Sequence, residues 1–61
     1  MFFEIYVQPG RTLLAGEWRW RLKAANGQII AQGESYVRKE DCVHAINLIK
    51  STTVHTPVRE V

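Results

Sequence analysis

One cysteine, two prolines and two histidines are all that the 61 residues hold of those types. A lone cysteine, Cys42, closes no internal disulfide. His44 and His55 stand eleven residues apart with no second ligand pair beside them, which is not metal-ligand spacing. Neither histidine has a Ser, Cys or carboxylate at a spacing that marks a catalytic triad, and the four glycines build no phosphate cradle ahead of a helix. No catalytic residue, cofactor or metal is therefore expected. No apolar run approaches the roughly 18 residues of a membrane span. The opening MFFEIYVQPG lacks the basic start and long apolar stretch of a signal peptide. A cytoplasmic protein without membrane contact is the expectation.

What is present reads as one globular domain over 1–61, with 46% apolar and 23% charged residues. A domain this small buries only about 60% of the surface its unfolded chain exposes. Such domains commonly lean on disulfides, metal or a second chain. With the first two absent, association is the remaining source of stability. The net charge is +2, but Arg11–Lys23 holds four cations against Glu17 alone, so the rest of the chain sums to −1.

Alternation marks the first strand: Phe3, Ile5 and Val7 face one way, Glu4 and Tyr6 the other. Pro9-Gly10 ends it, and a connector from Gly10 to Gly16 follows, in which Leu13 and Leu14 are apolar enough to pack down. In the second strand Trp18, Trp20 and Leu22 share one face, and Glu17, Arg19, Arg21 and Lys23 the other. Asn26-Gly27 then suits a two-residue type I′ turn. Counting outward from that turn sets Lys23 against Ile30, Leu22 against Ala31, Arg21 against Gln32, Trp20 against Gly33 and Arg19 against Glu34. Large residues meet small ones on the apolar face, and opposite charges meet on the polar one.

After Tyr36 the period changes. Cys42, Ala45, Ile46 and Ile49 recur at helical spacing, which predicts an amphipathic helix from about Lys39 to about Lys50. Glu40 and Asp41 at its start and Lys50 at its end suit the helix dipole, and its outer face carries His44 and Asn47. Beyond it, Val54, Val58 and Val61 suggest a short last strand, with Pro57 confined to an edge or end position.

The stretch GEWRWRLKAANGQIIAQGESYVRKEDCVHAINLIK resembles the YegP-like family of small proteins of unknown function. The matching residues are Trp20–Ala24, Asn26-Gly27, Ile30-Ala31, Gly33, Tyr36, Lys39, Cys42, Ala45-Ile46 and Ile49-Lys50. The pattern they form spans more than half of the chain. The resemblance implies an α+β fold built from a β(3)-α-β unit: an antiparallel sheet with one helix on one face. It also implies that single-copy members pair as homodimers, forming a continuous sheet with exchanged C-terminal strands, which here would bring Val54, Val58 and Val61 to the dimer. Family members often have Gly where this chain has Ser35. They often have Ser, an ordinary N-cap, where it has Arg38. The family brings no catalytic residues to carry over.

Three functional readings follow. The first is a non-catalytic dimeric module, structural or protein-interacting, whose main partner is itself. The second is a weak nucleic-acid binder, with Arg19, Arg21 and Lys23 on phosphates and Tyr6 as a stacking platform. The third is a small-ligand binder at the dimer seam. Against the second stands the ordinary wet face of an antiparallel sheet, where polar alternation needs no ligand. The tryptophans read as core, and Cys42, on the apolar stripe, as a buried structural thiol.

Overall fold

The fold comes from a computed structural model that describes residues 1–9 and 16–61. Three strands and one helix follow in chain order: β1 (Phe2–Pro9), β2 (Gly16–Lys23), β3 (Ile29–Gln32) and α1 (Lys39–Lys50). The expected connector and its leucines fall, over 10–15, outside the described residues. The strands form one antiparallel sheet in the order β1-β2-β3. The helix lies across one face of β1 and β2. The architecture is thus α+β, with the helix where its spacing predicts it.

Register explains the two faces. β1 and β2 pair without interruption from Phe2↔Lys23 to Pro9↔Gly16, so Phe3, Ile5 and Val7 stand beside Leu22, Trp20 and Trp18. Trp20, Cys42 and Ile46 are buried, with Phe3, Trp18, Leu22, Ala31, Tyr36, Ala45 and Ile49 packed around them. The Trp20 ring takes the Phe3 ring edge-on at 5.9 Å and lies directly over Gly33, where a Cβ would fall inside the indole. Trp20 is core, as its alternation implies, Trp18 packs half-buried against it, and Cys42 is fully buried. Burial pushes its thiol pKa up, away from the reactive thiolate.

The β2–β3 connection differs from the expected type I′ turn. Only Gly27 has a positive φ, +88°, among the described residues, whereas type I′ needs two such residues. The turn instead closes with the Gly27 N–H on the Ala24 carbonyl at 2.9 Å and the Ala24 N–H on the Gln28 carbonyl at 2.9 Å. That is a three-residue loop with glycine in the left-handed position, supported by the Gln28 N–H donating to Asn26 Oδ1 at 3.0 Å. The loop is one residue longer than expected, so Lys23 pairs with Ile29 and not with Ile30. A bulge between Leu22 and Lys23 then absorbs the difference. Leu22↔Ala31 and Arg21↔Gln32 stand as counted.

Two further expectations need correction. The Gly33 N–H reaches the Trp20 carbonyl at 3.2 Å, as the register requires, but Tyr36 and Trp18 then exchange backbone hydrogen bonds of 2.7 and 2.8 Å. Glu34 and Ser35 therefore share the space opposite Arg19, and the Arg19–Glu34 pair is lost. Second, no strand forms after the helix within the single chain. Thr53 and Thr56 instead fold into a local turn, the Thr56 N–H donating to the Thr53 carbonyl at 3.0 Å. Val54, Val58 and Val61 are at least 95% exposed. The chain on its own is β(3)-α, not β(3)-α-β. Apolar character alone does not place a strand; its backbone needs a free edge within reach.

Candidate functional site

The face of the sheet away from the helix carries all four residues expected to contact nucleic acid. Tyr6 stands across from Arg19, Glu4 from Arg21, and Phe2 from Lys23. Alternation on two antiparallel strands brings them together. The geometry then sorts them. Arg21 Nε donates to Glu4 Oε1 at 2.6 Å, and Lys23 Nζ lies 3.1 Å from the same oxygen. The Arg21 guanidinium also sits 4.6 Å from the centre of the Tyr6 ring. Hydrogen bonds from Arg21 first, then Lys23, hold the Glu4 carboxyl below its ordinary pKa. Two of the three cations are thus engaged by an anion, and one face of the aromatic platform is covered.

Arg19 differs. Its Nε is covered and meets no hydrogen-bond partner among the described residues. Glu4 was the functional partner that the β2–β3 count missed, because it lies on β1. A signal existed in the outward position of Glu4 beside Tyr6, but using it requires the β1–β2 register.

The helix presents its outer flank around an open hollow of about 500 Å³ lined by Lys39, Glu40, Val43, His44 and Asn47. These are neighbours along one stretch of a single helix, and no buried polar groups converge there as they do in ligand sites. His44 and His55 are both exposed. No group of three or more His, Cys, Asp or Glu that could hold a metal ion occurs among the described residues. Among the described residues, no helix is long and apolar enough to cross a membrane. The helix begins after Arg38, whose side chain makes no capping hydrogen bond.

A different feature dominates the surface. The described residues bury only Trp20, Cys42 and Ile46 below a tenth of their area. Ile5 (36%) and Val7 (50%), on the core side of the sheet, stay open. Among the described residues, the sheet edge along β1 pairs with no other strand.

A domain of unknown function, DUF1508, matches residues 15–60. The chain belongs to this family. A UPF0339 protein of Neisseria meningitidis serogroup B is 59% identical over 61 residues, the whole of both chains. One from Methanosarcina acetivorans is 42% identical over 48 residues, 79% of this chain and 74% of the relative. A third, from Stutzerimonas stutzeri, is 44% identical over 48 residues, 79% of this chain but only 39% of the relative. The DUF1508 and UPF0339 descriptions name a small uncharacterised family, in agreement with the YegP-like resemblance, and carry no activity.

Proposed function

We propose that this chain is a non-catalytic module, structural or protein-interacting, that works as a cytoplasmic homodimer. One observation carries the reading: the fold is assembled but its core is unfinished. Sheet and helix meet correctly, yet only three side chains among the described residues are buried, while apolar residues stay open on the core side of β1 and throughout the tail. Exchange of C-terminal segments between two copies would cover both surfaces at once and link folding to association. The Stutzerimonas stutzeri relative supports this, since the match fills about two fifths of it, leaving room for a second such unit in one chain. Sedimentation equilibrium of the intact chain at micromolar concentration tests the proposal. Twice the monomer mass is expected, and a monomer throughout overturns it.

Arg19 favours a second reading. It stands across from Tyr6 and, unlike Arg21 and Lys23, makes no ion pair among the described residues, so it is the cation on the outer face best placed to meet a phosphate. RNA binding that weakens with added salt and is lost in Arg19→Ala would support that role. Glu4 neutralises much of the rest, which is why the dimeric module is the principal reading.

A further inference from the structure

The outer face of the sheet repeats a pattern. Three rows cross β1 and β2 there: Tyr6 with Arg19, Glu4 with Arg21, and Phe2 with Lys23. An aromatic beside a cation stands at each end, and an ion pair fills the middle. Phe2 and Tyr6 lie four residues apart on one face of β1, about 13 Å along the strand. Phe2 is 44% exposed. Tyr6 is half-buried, with the Arg21 guanidinium packed 4.6 Å from its ring centre.

That spacing selects among polyanions. Neighbouring bases in a duplex strand lie about 3.4 Å apart, each covering the face of the next. Two rings about 13 Å apart on a sheet take only bases that have left the stack, which single strands offer. Resting on the nucleic-acid reading above, we propose that the outer face binds an extended single strand of nucleic acid laid along β1. One base stacks on Phe2 and another on the Tyr6–Arg21 pair, since a guanidinium plane also accepts a base. Lys23 and Arg19 each meet a phosphate.

Charge then sets the strength. On this face Arg19, Arg21 and Lys23 stand against Glu4 and Glu17, three cations to two anions, with Glu17 across from Gln8. Arg21 and Lys23 share Glu4 Oε1 at 2.6 and 3.1 Å, and Arg19 makes no ion pair among the described residues. The Lys23 ammonium has three donors, so it meets a phosphate without releasing Glu4. Arg21 stays committed to Glu4 and Tyr6 and fixes the stacking surface. Two phosphate contacts on a single strand give a logarithmic salt slope of about −1.4. Glu4 thus holds the affinity down by withholding the third cation.

The test titrates the intact chain into a fluorescently labelled oligouridylate, a flexible single strand, and into a duplex of the same length. The single strand should bind at least about tenfold more tightly, because only it offers bases to both rings. Phe2→Ala and Tyr6→Ala should each weaken it about fivefold or more, the loss of one stacked base. Glu4→Gln should tighten it about fivefold at about 0.1 M salt, the counterion effect of one more phosphate contact. Equal affinity for the duplex, a Glu4→Gln chain that binds no better, or binding lost in Arg19→Ala but unchanged in Phe2→Ala overturns this inference. Each leaves a phosphate contact at Arg19 standing. A chain that binds neither probe overturns both. Should a variant fail to fold, ring-proton shifts in the native chain on adding oligouridylate decide: shifts at both Phe2 and Tyr6 support the seating, and none at Phe2 contradicts it.

Discussion

Adding one methyl group at Gly33 should cost the fold several kcal/mol. A Cβ built there falls inside the Trp20 indole at Nε1 and Cε2. The ring has little room to yield: Trp20 is 7% exposed, with the Phe3 ring edge-on beside it. Forcing extra volume into a packed site costs about 1–3 kcal/mol. The upper limit is set by evicting the indole altogether, which resembles Trp20→Ala at about 3–5 kcal/mol. Gly33→Ala should therefore lose about 2–4 kcal/mol, between those two ranges. In a domain of this length each kcal/mol lowers Tm by about 4–8 °C. Urea and thermal melts of all variants at one protein concentration measure this, since self-association shifts apparent stability. The double variant Trp20→Ala/Gly33→Ala provides the sharper test. With the ring gone the methyl has space, so the double variant should be about as stable as Trp20→Ala alone. Losses that simply add, or a Gly33→Ala protein within about 0.5 kcal/mol of the parent, as ordinary surface changes are, would refute the close approach.

Three other outcomes follow from local geometry. Gly27→Ala should cost about 1–2 kcal/mol in denaturant melts, because φ is +88° and a Cβ there meets nothing, so the loss is purely conformational. The Glu4 carboxyl, followed by carbon NMR, should titrate below its ordinary value in the folded protein and move upward in Arg21→Ala. Its folded pKa is depressed, so its contribution to stability is complete above the unfolded-state pKa and is lost as pH falls through the folded one. Cys42, fully buried with its thiol pKa raised, should resist a thiol reagent in the native state and react once denaturant unfolds the chain.

Periodicity carried most of the fold. Alternation separated the faces of β1 and β2, and the 3.6-residue stripe located α1 at Lys39–Lys50. Both are local signals that tertiary packing then reinforces. The turn was harder to read, because Asn-Gly serves two loop lengths, and only the backbone shows Gly27 alone at positive φ. The misjudged loop left the core register intact, since the bulge after Leu22 cancels the extra residue. The basic face was found by its residues but not by its charge balance. Glu4 reaches Arg21 only through the β1–β2 register, and no short turn motif sets that register in the sequence. The tail shows where pattern stops: valines announce a need for cover, but the covering surface is not encoded next to them.

The central claim is that the C-terminal segment completes the fold of a second copy. Its most direct test is the mass and circular dichroism of a chain ending at Thr53, compared with the intact chain at equal micromolar concentration. The account predicts an intact dimer and a truncated chain that is monomeric and largely unfolded. A truncated chain that keeps both the dimer mass and the native spectrum would contradict it.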